Sequence, residues 1–284
     1  MHDTDVSPTN NDYPPAEWRL IVHPAQEGAL NMAIDEAIAE SVAAGRSMPT
    51  LRFYAWQPAC LSLGRFQPGA DADLARLRAN GWHIVRRPTG GRGILHTDEL
   101  TYSVAAPLTD PRVAGDVVMS YRRLSAGLLQ GLRILGLAVS ADPGVGEGHH
   151  FKGPICFEEP SDYEITVNGK KLIGSAQSRR EGVVLQHGSC PLTGDLTRIC
   201  DALVFPDDAA RRDARARLAA RATHLHDALG TPVAMAQVGE ALVAGFSLAL
   251  NLTFHEGSLT EAEQRRAAAI HAEKYASDEW TFRI

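Results

Sequence analysis

Asn168-Gly169 stands between YEITV (163–167) and KKLIGSAQ (170–177). An Asn-Gly pair accepts the positive φ values of a two-residue type I′ turn, which makes this the strongest short hairpin signal in the chain. Two antiparallel strands are therefore expected here. Further strand signals are WRLIVH, TLRFYAW, ACLSLG, HIVRR, ILH, ELTYSVAAP and GVVLQHGSCPL, rich in β-branched and aromatic residues and bounded by Gly, Pro or Asn.

Helical spacing interrupts them. In EGALNMAIDEAIAESVAAG, Leu30, Ile34, Ile38 and Val42 recur every four residues, with Gly45 as a stop. DADLARLRANG reads as a short helix capped by Asp71 or Asp73. Residues 116–136 place Tyr121, Leu124, Leu128, Leu132 and Leu135 on one face. A helix with Pro232 near its first turn follows, then one over LTEAEQRRAAAIHAEKYASDEW, with Thr260 as cap and Glu263 as capping-box partner. The irregular alternation predicts an α+β (mixed α/β) fold, helices packed on largely antiparallel sheets. Residues 1–17, rich in Pro, Asn and Asp, read as a flexible leader, and 18–284 as a single domain whose part from about 207 is helical.

The net charge of −6 disfavours a nucleic-acid or anionic-membrane binder, which needs a concentrated positive field. No stretch approaches a transmembrane span or a signal peptide. Cys60, Cys156, Cys190 and Cys200 form no CxxC pair and no zinc-like set with histidine. Reduced thiols in a cytoplasmic protein are expected, and no metal. His149-His150, being adjacent, make a poor metal pair.

Two segments carry candidate chemistry. RRPTGGRGILH lacks the pattern of a P-loop or of a dinucleotide fingerprint, yet sets Gly90, Gly91 and Gly93 among Arg86, Arg87 and Arg92, with Thr89 inside and His96 at the far end. Such a loop is either a tight turn with solvated arginines or a backbone nest for an anion, amide or carbonyl oxygen. In GPICFEEPSDYEITVNGKKLIGSAQ, Lys171 follows Cys156 by fifteen positions across the hairpin, and strands ~4.8 Å apart allow the two to meet. A nearby cation favours the reactive thiolate. The small residues Gly174, Ser175 and Ala176, and His187-Gly188 on the next strand, leave room for a substrate chain. The residues alone leave Cys156 open between a buried apolar role and a nucleophile, as they leave Lys171 open between a solvated strand lysine and its partner, and His187 between a structural and a functional histidine.

NMAIDEAI, LRFYAWQPACLSLGRFQ, RRPTGGRGILHTDELTYSV, PICFEEPSDYEITVNGKKLIGSAQ, VLQHGS and EKYASDEW together resemble, in order, the lipoate–protein ligase A/octanoyltransferase superfamily, whose fold is related to the biotin protein ligase catalytic domain. The CFEEPSDYE…KKLIGSAQ block is similar to the octanoyl-[acyl-carrier-protein]:[glycine cleavage H protein] octanoyltransferases. The Gly loop departs from the ATP-using ligases in carrying Arg92 where they have a third Gly and Thr97 after His96. The resemblance implies an acyl-thioester on Cys156, with Lys171 stabilising the thiolate or taking its proton. It also implies octanoyl-acyl-carrier protein as donor, a lipoyl-domain or glycine cleavage H protein as acceptor, and no cofactor. Arg86, Thr89, Gly90, Gly91, Arg92, Gly93, His96, Gly174, Ser175, Ala176, His187 and Gly188 are then substrate-binding candidates. Backbone N–H groups of 171–176 or of the 89–93 loop are expected to hold the oxyanion. The alternatives are an ATP-dependent lipoate–protein ligase, in which Cys156 is a bystander, and a non-catalytic lipoyl-domain-binding partner.

Overall fold

The computed structural model describes residues 13–142, 154–155 and 164–284; the first twelve residues of the expected leader, most of the Gly-rich 142–153 segment, His149-His150 and Cys156 lie outside them. The chain runs β1 (Ala16–Val22), α1 (Gly28–Ala43), β2 (Thr50–Tyr54), β3 (Cys60–Leu63), α2 (Leu74–Ala79), β4 (His83–Arg86), β5 (Ile94–His96), β6 (Glu99–Pro107) and α3 (Val117–Ile134). Then come β7 (Ser140–Asp142), β8 (Glu164–Val167), β9 (Lys170–Arg180), β10 (Val183–Pro191), α4 (Asp208–Arg221), α5 (Leu225–Leu229), α6 (Met235–Leu250), β11 (Leu252–Glu256), α7 (Glu261–Ile270) and α8 (Asp278–Thr281).

Eight strands form one sheet in the order β11-β1-β2-β6-β10-β9-β8-β7, and β4-β3-β5 form a second. β1 pairs in parallel with both β2 and β11, and β3 with β4; the other ladders are antiparallel. The large sheet is covered on both faces. On one, α3 and α6 pack Leu124, Leu128, Leu132, Leu242 and Phe246 against Tyr102, Val104, Val184 and Ile173. On the other, α1 packs Met32, Ile34 and Ile38 against Tyr54, Trp56, Ala105 and Leu185.

Local signals fix several elements as expected. Asn168 and Gly169 take φ of 51° and 72° between β8 and β9, and Gly45 takes 67° beyond α1. Asp73 and Asp116 cap α2 and α3. The Thr260–Glu263 capping box opens α7.

Elsewhere the structure corrects the reading. α6 begins at Met235 with Ala234 as cap, so Pro232 stands just ahead of the helix. The last helix stops at Ile270, passes through a π-turn over His271–Tyr275, and resumes as α8. β1 starts at Ala16, and Tyr13 is already buried, so the folded part reaches into the expected leader. The segment after 207 carries β11, which no sequence pattern announced.

Candidate active site

The register between β8 and β9 aims Lys171. Ile165 lies opposite Ile173, but Thr166 lies opposite Lys171, so Leu172 is an extra residue in β9. Ile173 faces the α3–α6 layer. A β-bulge of this kind re-aims the side chain beside it, so Lys171 turns to the opposite face, shared with Gly174 and Ala176. There its ammonium donates to Glu164 Oε1 at 2.7 Å, and the side chain is buried. Glu164 was not singled out in the sequence, although it lies within the quoted segment.

Along the same face, β9 and β10 floor a cavity. Gly174 pairs with Ser189 and Ala176 with His187. Met32 from α1, Tyr54 and Trp56 from β2 and its extension, and Ile94 complete the apolar lining. The Ser175 hydroxyl points to the α3–α6 face and bonds Tyr102 Oη at 2.6 Å. A Cβ on Gly188 would fall 2.4 Å from Ser175 Oγ and 2.5 Å from the Tyr102 ring, so only glycine lets these strands close there.

Two carboxylate–imidazole–hydroxyl chains brace the walls. In the first, His187 Nε2 lies 2.6 Å from Thr89 Oγ1, and Nδ1 lies 3.5 Å from Asp35 Oδ2. Burial lowers the His187 pKa against the pull of Asp35, and Nδ1, facing that carboxylate, makes no hydrogen bond to a described residue. Burial pushes the Asp35 carboxyl up, but Arg52 at 2.6 Å and His187 outweigh it and hold it below its ordinary value. Tyr54 and Ser103 donate to the same carboxylate.

In the second chain, His96 Nδ1 is 2.7 Å from Glu99 Oε1 and Nε2 is 2.8 Å from Ser62 Oγ. The ring stacks on Trp56 with centroids 3.9 Å apart. Burial raises the Glu99 carboxyl, but His96 and bonds from His96, Ser189 and Thr101 bring it below its ordinary value. Asp35, Arg52, Tyr54, Trp56, Ser62 and Glu99 thus belong to the site without having been chosen from the sequence, and Arg87, noted there as a neighbour of the Gly loop, lines the cavity. An acid and an amide on the apolar face of α1, Asp35 and Asn31 at i and i+4, were the available signal.

The Gly loop is held largely by its own arginines. Arg87 donates to the carbonyls of Gly90, Arg92 and Ser62. Gly91, at φ 85°, sets its carbonyl against Gly64, where a Cβ would come within 1.8 Å. Arg86 is buried and spends its guanidinium on the carbonyls of Gly64, Arg65, Gln67 and Thr281, away from the cavity. His96, Gly174, Ser175, Ala176, His187 and Gly188 are thus brought together around the cavity, and Thr89 joins them through His187; Arg86, Thr89, Gly90, Gly91, Arg92 and Gly93 are not among the lining residues. The N–H of Gly93 goes to the Pro154 carbonyl, and Gly174–Ala176 pair with β10 across the ladder.

Cys60 and Cys190 are buried, and burial pushes both thiols up, Cys190 to about 12, as expected of inert cysteines. Cys200 is buried as well. Among the described residues no group of His, Cys, Asp or Glu is arranged to hold a metal ion, and no helix is long and apolar enough to cross a membrane.

Comparison with known proteins adds to this geometry. The family described as Lipoyl protein ligase A/B catalytic domain matches residues 27–247. The chain is 44% identical over 271 residues to the octanoyltransferase LipM of Kyrpidia tusciae, covering 94% of this chain and 98% of that one. It is 38% identical to the octanoyltransferase LipM of Staphylococcus aureus, again over 94% and 98%. Among solved structures, a bi-partite lipoate protein ligase from Thermoplasma acidophilum superposes with a TM-score of 0.79 at 28% identity, over 94% of this chain and 96% of that one. Lipoate-protein ligase A bound with ATP gives 0.75 at 28%, over 95% and 99%.

Proposed function

The chain belongs to the lipoyl protein ligase A/B catalytic-domain family, and from that premise we propose how it works as an octanoyltransferase of lipoate biosynthesis. The octanoyl group comes from octanoyl-acyl-carrier protein, rests on Cys156, and passes to a lysine of a lipoyl-domain or glycine cleavage H protein, in the cytoplasm. The Cys156 thiolate attacks the donor thioester; the new C–S bond forms as the old one breaks, and the carrier thiol leaves with a proton. The acceptor amine then attacks the Cys156 thioester, forming the amide and returning the thiol. Each exchange starts from an activated thioester, so the cycle uses no ATP.

The observation that carries this reading is the β9 bulge, which turns the buried Lys171 onto the face of the apolar cavity. A carboxylate partner at 2.7 Å suits the ammonium form, so Lys171 acts chiefly as the cation that favours the thiolate. The octanoyl chain lies across β9, β10 and β6 in the cavity between Ala176 and the Met32–Tyr54–Trp56 wall. Each methylene buried contributes about 0.8 kcal/mol. His187, Thr89 and His96 shape the wall and do not react. ATP-dependent ligation is the second reading, favoured by the structural likeness to a ligase bound with ATP.

Incubation with octanoyl-carrier protein without ATP, followed by intact mass, separates the two. An octanoyl adduct is expected that hydroxylamine removes, that is absent from Cys156→Ser, and that forms far more slowly in Lys171→Ala. Lipoylation that requires ATP, without any adduct, would overturn the transferase.

A further inference from the structure

We propose that a cavity between α1, the β9–β10 hairpin and Trp280 binds a small amphiphilic anion, an oxyanion head on a short apolar body, apart from the acyl cavity. Its volume is about 210 Å³, and it continues the same sheet face. Ala176 and His187, opposite each other, line the acyl cavity. Further along that face Ser178 lies opposite Leu185, and Arg180 opposite Val183; all four line this one. On α1, Met32 belongs to the acyl cavity and Glu36, one turn later, to the second. The floor is apolar and buried: Ala39, Pro88, Val183 and Leu185.

Unspent positive charge rims that floor. The Arg65 side chain donates no hydrogen bond to a described residue, and its Nε is buried without a partner. Arg180, exposed, makes no ion pair with a described residue. Arg283 joins them, its Nη2 on the Arg65 carbonyl at 3.0 Å; it lies 4.1 Å and Arg65 5.9 Å from the centre of the Trp280 ring. Burial, then the charges of Arg180 and Arg283, lower the Arg65 pKa against weaker pulls from Tyr275 and Glu36. The carboxylates of the lining are largely committed. Glu36 is held by Lys274 at 2.6 and 2.7 Å and by Tyr275, and Glu40 by Arg266 at 2.6 and 2.9 Å. Glu181, exposed in the turn after β9, leaves three arginines facing one carboxylate. An oxyanion takes the idle Arg65 and Arg180 N–H groups as charge-assisted bonds, and its apolar body covers the floor. Pro88 in that floor, and the Arg65 N–H on the Thr89 carbonyl at 2.8 Å, set the occupant against the Gly loop.

Two of the four tryptophans report the two cavities apart, because Trp280 lines this one and Trp56 the acyl cavity. The full chain, labelled with fluorotryptophan, is titrated with sodium octanoate, octyl phosphate, octanol or inorganic phosphate while its fluorine resonances are followed. Trp280→Phe and Trp56→Phe assign the two lines. Octanoate and octyl phosphate are expected to move the Trp280 line saturably, and octanol to leave it in place. Arg65→Gln should raise the half-saturating concentration about tenfold. Arg180→Gln, at an exposed position, should raise it about threefold, an effect that fades with salt. Movement of the Trp56 line alone would put the anion in the acyl cavity and overturn the second site, as would a Trp280 line that no ligand moves. Octanol acting as strongly as octanoate would overturn the anion, and inorganic phosphate acting as strongly as octyl phosphate would overturn the apolar body. Unchanged affinity in both arginine variants would overturn the assigned rim.

Discussion

His23 shows how a single buried contact sets a pH dependence. Its Nδ1 accepts from Arg52 Nε at 2.9 Å, so the ring must be neutral there. Burial first, and the Arg52 charge second, lower its pKa to about 4 against a slight pull from Asp35. The unfolded chain therefore takes up a proton near pH 6.5 that the folded chain refuses until about pH 4. Stability is expected to fall as pH drops through that window, and His187, also lowered by burial, has the same sign. In His23→Gln the urea midpoint should fall less between pH 7 and 4.5; an unchanged slope would show that His23 does not contribute. At this scale the sequence was partly legible. Thr89, His96, Lys171 and His187 were visible because polar residues stood beside glycine or within strand patterns. Asp35, Arg52 and Glu99 were not, because their meaning lies in partners far along the chain, 68 positions between Asp35 and Ser103 and 90 between Glu99 and Ser189, or in burial itself.

The α3–α6 crossing depends on glycine at the level of elements. A Cβ at Gly245 would fall 2.2 Å from the Gly131 nitrogen and 2.4 Å from the Gly127 oxygen, both backbone atoms that cannot step aside. At Gly127 the nearest atoms belong to the Phe246 ring, which can move. Gly245→Ala should cost about 2 kcal/mol net, overpacking of about 3 offset by about 1 of helix propensity, and Gly127→Ala less. Urea unfolding with an unchanged m-value checks this; equal stability of both variants would mean that the helices simply separate. Hairpin, caps and α3 were legible because their determinants lie within a few residues. β7 and β11 were not. β11 exists because β1, more than 200 positions earlier, offers a parallel edge. The break after Ile270 is likewise tertiary: Lys274 and Tyr275 turn to Glu36 of α1. The bulge at Leu172 left no local trace, so the lysine was legible and its direction was not.

Across the whole molecule, the last thirty residues fasten the first ninety. Arg19 holds Glu263 through two bonds of 2.6 and 2.8 Å, both side chains buried. Arg86 donates to the Thr281 carbonyl, Trp280 Nε1 donates to the Arg86 carbonyl at 2.9 Å, and the Gly69 N–H reaches the Ile284 carbonyl at 2.7 Å. Because Arg86 begins the Gly loop, the C-terminal segment supports the loop from behind. We infer that the part after residue 207 does not fold by itself and that 18–284 unfolds as one unit. Near-ultraviolet signals from Trp18, Trp56, Trp82 and Trp280 and the far-ultraviolet helix signal should then share one midpoint. Glu263→Gln leaves Arg19 buried without its countercharge and should lower stability by about 3 kcal/mol, moving both signals together. If the helix signal alone moved, or two transitions separated, the C-terminal part would be an independent unit, and the support it lends to the Gly loop would not be needed for the core to fold.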